Sequence, residues 1–76
     1  MENAKVEELI RAGMPGAEVK VTGDGRHFEA IVVSADFTGK SLIQRHRLVM
    51  DTVRQQIASD ELHALSIKAH TPDEMG

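Results

Sequence analysis

The sequence predicts a single α+β domain over residues 1–76, in the order helix–strand–strand–helix–strand. Three observations lead there. Two segments with period-2 alternation flank a Gly-Asp-Gly turn, a long stretch repeats apolar residues at helical spacing, and a third alternating run precedes Thr71-Pro72. The expected architecture is one three-stranded mixed sheet with the helices on one face. A helical crossover between the second and third strands makes that pair, if they are neighbours, parallel and right-handed.

Each element has its own signal. Asn3 to Ala12 reads as a helix with Val6, Leu9 and Ile10 on one side, Asn3 as a capping residue, and Gly13 with Pro15 as the stop. In Glu18-Val-Lys-Val-Thr22 the valines alternate with polar residues, which predicts a half-buried strand. Gly23-Asp24-Gly25-Arg26 is turn chemistry, because Gly and Asp tolerate positive φ. The second strand, His27 to Val33, puts Phe28, Ala30 and Val32 on one face and His27, Glu29, Ile31 and Val33 on the other. A long helix is expected from Ser41 to Ala58, its apolar arc formed by Leu42, Ile43, Val49, Met50, Val53 and Ile57. Leu48 falls on the polar side, which marks either a break in the helix or an exposed contact. The third strand runs from His63 to Ala69 with His63, Leu65, Ile67 and Ala69 in phase. Thr71-Pro72 ends it, and the last residues are expected to fray.

Composition removes several function classes. The chain has no Cys, no Trp and no Tyr, four His, and 9 Lys+Arg against 12 Asp+Glu for a formal charge of -3. Without cysteine there is no disulfide framework, thiolate nucleophile or Cys-built metal site within these residues. No apolar run approaches the about 20 residues of a membrane span. No charged segment followed by an apolar one opens the sequence, so a cytoplasmic location is the default expectation. A domain this short buries only about 60% of its unfolded surface, which leaves a small margin of stability.

The histidines are the conspicuous chemical resource, yet they show no metal-motif spacing. His46 sits within the apolar arc of the long helix and is expected to be buried and structural, with Arg45 and Arg47 flanking it toward solvent. His27 and His63 each open a strand; each is either a solvated strand-end residue or a ligand offered at the rim of the sheet. His70, at the far end of the third strand, has no reactive companion. The acidic pairs Glu7/Glu8, Asp60/Glu61 and Asp73/Glu74 are adjacent in sequence and so point apart, and no nucleophile elbow or Walker sequence occurs. No catalytic candidate emerges. Lys40, Arg45, Arg47 and Arg54 form a basic helix face whose alternative reading is nucleic-acid binding, weak and salt-sensitive with so few cations.

Taken together, these residues resemble the BolA family. The resemblance centres on Val33-Ser34-x-x-Phe37-x-Gly39-Lys40-Ser41-Leu42-x-Gln44-Arg45-His46-Arg47-Leu48-Val49, with a second block His63-Ala64-Leu65-Ser66-Ile67-Lys68-x-x-Thr71-Pro72-x-Glu74. The stretch Val21-Thr-Gly-Asp-Gly-x-His-Phe28 resembles the shorter, acid-stress-linked bacterial branch. The resemblance implies a class II KH-like fold and a partnership with a monothiol glutaredoxin through a shared [2Fe–2S] cluster, the partner's cysteine and glutathione supplying thiolates. It places the family's histidine on His63. The second ligand comes from the hairpin region, His27 being preferred and Asp24 the alternative. The isolated chain is then expected to hold no cofactor and to be a monomer or weak homodimer. A DNA-binding regulatory role is the competing expectation, although a KH-like fold does not by itself license nucleic-acid binding. Met75 stands where many relatives carry a tryptophan, so a terminal helix is expected to be absent or truncated.

Overall fold

The computed structural model describes residues 1–75. Helix α1 (Asn3–Gly13) leads into strands β1 (Glu18–Gly23) and β2 (His27–Val33), and a 3₁₀ turn (Ala35–Phe37) follows. Helices α2 (Leu42–Thr52) and α3 (Arg54–Ala58), strand β3 (Ala64–His70) and a one-turn helix α4 (Pro72–Met75) complete the fold. The sheet order is β1-β2-β3, antiparallel for the first pair and parallel for the second. The α+β order and the mixed sheet are as the sequence predicts.

One face of the sheet carries the core. Val19 and Val21 pair with Val32 and Ala30, while Phe28, Ala30 and Val32 stand beside Leu65, Ile67 and Ala69. Val6 and Ile10 of α1 and Val49 of α2 close over this face, all fully buried. A Cβ on Gly13 would lie 2.6 Å from Cγ2 of Thr52, so a glycine there lets α1 approach α2. A Cβ on Gly23 would meet the His27 carbonyl at 2.4 Å, which restricts the hairpin's base to glycine.

The long helix departs from expectation in two ways. It breaks at Val53, whose ψ of 17° leaves the helical region, so α2 and α3 are separate. Its phase is also rotated. His46 is exposed, not buried, and Leu42 and Ile43 are 75% and 66% exposed. Of the expected arc Val49 and Val53 are fully buried, and the third buried position in the four-residue spacing is Arg45. Leu48 is half-buried against the core. Hydrophobicity alone assigned the arc to Leu42 and Ile43, whereas the guanidinium of Arg45 has fixed partners that a wheel of apolar residues does not register.

The residues between β2 and α2 explain why this region of the sequence is so particular. Ser34 accepts the Asp36 N–H and starts the 3₁₀ turn, Phe37 is fully buried, and Gly39 reverses the chain at φ 77°. Ser41 then caps α2 reciprocally with Gln44. Two smaller corrections complete the comparison. The residue preceding α1 is Glu2, without a side-chain cap, rather than Asn3. Residues 72–75 do not fray, while Gly76 lies outside the described residues: Glu74 accepts the Thr71 N–H at 2.9 Å and donates its own N–H to Thr71 Oγ1 at 3.4 Å. That exchange closes a short helix around Pro72.

Candidate metal-ligand site at one end of the sheet

Because β2 and β3 are parallel, both begin at the same end of the molecule. His27 is level with Ala64, so His63 immediately precedes the residue that pairs with His27. Both histidines are exposed, and neither imidazole makes a hydrogen bond among the described residues. The sequence offers them as separate strand-start residues; the parallel register places both at the same end of the sheet.

Asp24 joins this end through the hairpin. Its Oδ1 accepts the N–H groups of Arg26 and His27, each at 2.9 Å. Those two N–H groups, His27 first, hold the Asp24 carboxyl below the usual carboxylate range. One carboxylate oxygen is thus committed to the turn, and the residue fixes the backbone from which the His27 imidazole projects. The sequence offers Asp24 as a turn residue that tolerates positive φ, but in this turn only Gly25 has positive φ, at 98°, and Asp24 acts through its side chain instead. Among the described residues no group of three or more His, Asp or Glu gathers as a metal cage. The candidates at this end are two exposed imidazoles and one further carboxylate oxygen, with no thiolate, and they do not converge into a three-donor site.

His46 and His70 lie elsewhere. His46 is on the solvent side of α2, and His70 finishes β3 with Nδ1 3.9 Å from Glu74.

The basic helix face is smaller than its sequence suggests. Arg45 is 9% exposed and turned inward, correcting its assignment to a nucleic-acid surface. Its Nε donates to the Lys40 carbonyl at 3.0 Å and one terminal nitrogen to the Ala69 carbonyl at 3.2 Å. It also holds Glu74 through both carboxylate oxygens, at 2.8 and 3.2 Å, and lies 6.0 Å from the centre of the Phe37 ring. Arg45 and, second, the Thr71 N–H bring the Glu74 carboxyl down to about 2. Arg54 pairs with Asp51. Lys40 and Arg47 remain as exposed cations without an ion pair among the described residues.

Comparison with known proteins agrees with this anatomy. Residues 10–74 match the family model described as BolA-like protein. The acid stress protein IbaG of Escherichia coli is 38% identical over 74 residues, covering 97% of this chain and 88% of that protein. A BolA homologue from Coxiella burnetii superposes with a TM-score of 0.90 at 38% identity, covering 99% of this chain and 96% of the other. The BolA domain of SufE1 from Arabidopsis thaliana gives 0.81 at 34% identity, covering 95% and 93%. The long signature that builds the Ser34–Gln44 connection and the Arg45–Glu74 clamp therefore sits within a matched region that spans most of the chain. The chain belongs to the BolA family.

Proposed function

We propose that this chain is a non-enzymatic accessory protein of iron–sulfur cluster handling that shares a [2Fe–2S] cluster with a monothiol glutaredoxin and glutathione. The observation that carries this reading is the placement of His27 and His63, exposed and without internal partners, at the common start of two parallel strands. Family membership supports it, and the chain's lack of cysteine makes the thiolates the partner's contribution.

His63 is one iron ligand in this proposal and His27 the second. Asp24 holds His27 through its backbone N–H, and its free oxygen is the competing donor. Replacing thiolate by neutral imidazole raises a cluster's reduction potential and weakens its retention, which suits transfer. The chain's own task is to present two imidazoles from a rigid sheet end.

The test mixes the chain with a glutaredoxin loaded with a [2Fe–2S] cluster and glutathione, followed by visible absorption and circular dichroism. The expected result is a new spectrum that His63→Ala abolishes and His27→Ala alters. A mixture whose spectrum is the same with the parent and His63→Ala sinks the ligand assignment. Binding of apo-glutaredoxin with no dependence on the cluster points instead to a plain adaptor.

A further inference from the structure

The two candidate ligands are held to the fold by different means. His27 stands inside the sheet: it is level with Ala64 across the β2–β3 ladder, and Asp24 accepts its N–H at 2.9 Å. His63 precedes the first residue of that ladder, so strand pairing does not fix it. What places His63 is the chain that leads to it, residues 59–62 between the end of α3 at Ala58 and His63.

This short segment is tied back onto the helix it leaves. Ser59 donates its N–H to the Gln55 carbonyl at 3.0 Å, Asp60 to that of Ile57 at 3.2 Å, and Leu62 to that of Gln56 at 3.0 Å. The Ser59 hydroxyl donates to the Glu61 carboxylate at 3.0 Å, inside the same arc. Asp60 makes the turn. Its φ of 63° is left-handed, the one positive value outside glycine among the described residues. Helices commonly end on such a residue, usually Gly; Asp adopts the conformation more readily than most, whereas a β-branched residue there is strained.

Leu62 anchors the far end of the arc. It is 1% exposed and belongs to the core, and between Val53 and Ala69 it is the one buried residue. Helix α3 buries none of its own, and Ser59, Asp60, Glu61 and His63 are all exposed. The exposed histidine therefore follows directly on the single side chain that pins this stretch to the core.

We infer that residues 59–62 form a positioning arc for His63: the left-handed turn at Asp60 and the buried Leu62 set the backbone that carries His63 before any metal or partner arrives. The inference rests on the ligand role given to His63 above. It makes Asp60 and Leu62 positioning residues that act through the path of the chain, Asp60 by its backbone conformation and not by its charge. An arc already ordered in the free chain spares the complex the cost of ordering it on binding. It is the counterpart, for His63, of what Asp24 does for His27.

The test compares Asp60→Gly with Asp60→Val. Both remove the same exposed carboxylate, and only glycine keeps the left-handed turn without strain. In the metal-free full chain, amide NMR order parameters at residues 59–63 should be about 0.85 for the parent and Asp60→Gly, and below about 0.6 for Asp60→Val. Residues 24–27 of the hairpin should be unchanged in all three. With a glutaredoxin carrying a [2Fe–2S] cluster and glutathione, Asp60→Gly should keep the parent spectrum. Asp60→Val should move toward that of His63→Ala and lose the cluster about ten-fold faster. Leu62→Ala should behave as Asp60→Val does, and Leu62→Met should restore the parent's order. Val32→Ala, a core truncation near the far end of β2, should leave residues 59–63 ordered. A mobile arc in the parent overturns the inference, as do Gly and Val variants that behave alike, or a Leu62→Ala no different from Val32→Ala. A parent spectrum indifferent to His63→Ala defeats the ligand reading instead, and the metal-free order parameters still decide whether the arc is fixed.

Discussion

The two ends of the β2–β3 pair are built in opposite ways. Where the strands finish, Arg45 ties α2, the end of β3 and α4 together through the Lys40 and Ala69 carbonyls and the Glu74 carboxylate. Where they begin, His27 and His63 are exposed without a side-chain hydrogen bond among the described residues, and the side-chain hydrogen bonds to the turn between β1 and β2 come from Asp24. A small domain with little stability to spare concentrates its buried polar anchoring at the Arg45 end, while the histidines at the other end are exposed.

That contrast is testable by substitution. The largest effect is expected at Arg45. Arg45→Met removes charge-assisted hydrogen bonds to two carbonyls and a carboxylate, and should lower unfolding stability by about 2–3 kcal/mol. Arg47→Met, two residues away and exposed, should stay within about 0.5 kcal/mol. Urea unfolding followed by far-UV circular dichroism measures both, since the chain has neither Trp nor Tyr. Equal losses would erase the distinction between a clamped and a solvated arginine.

A pH series sharpens the same end. The folded Glu74 carboxyl lies at about 2, below the ordinary value of 4.5. Its stabilisation is therefore complete above pH 4.5 and lost as pH falls toward 2. Glu74→Gln should be less stable than the parent at pH 6 and converge with it near pH 2. Asp24, also lowered, leaves a residual acid dependence of the same sign in the variant. A constant difference between parent and variant across pH 6 to 2 would show that the carboxylate charge is not what Arg45 holds.

The smallest stability effect belongs to the open end. His63→Ala should change stability by no more than about 0.5 kcal/mol, as for an exposed side chain without internal bonds. A larger loss in the metal-free protein would make His63 a structural residue and remove the contrast.

Much of the fold was legible because its signals are local. The hairpin follows from Gly23-Asp24-Gly25 between alternating runs, and the strand faces follow from the positions of Phe28, Ala30 and Val32. The helix phase was not legible from hydrophobicity, since Arg45 is held by Ala69 and Glu74, far along the chain. Thr71-Pro72-x-Glu74 read as an ending, and it is one; the reciprocal Thr71–Glu74 bonds that make it a helix cap depend on the same carboxylate that Arg45 holds. At the candidate site the residue types were visible one by one, while their placement at one end of the sheet depended on the parallel register between β2 and β3.

That register also sets when the histidine pair comes into being. His27 takes its place with the β1–β2 hairpin, closed by residues 24–26, whereas His63 arrives only after residues 34–63 have crossed over and β3 has docked. Long-range pairing of this kind is the slow part of folding, and an edge strand is among the first pieces to open again. The two histidines thus share one end of the sheet only in the completed fold, and an excursion that frees β3 removes His63 from it while the β1–β2 hairpin can remain.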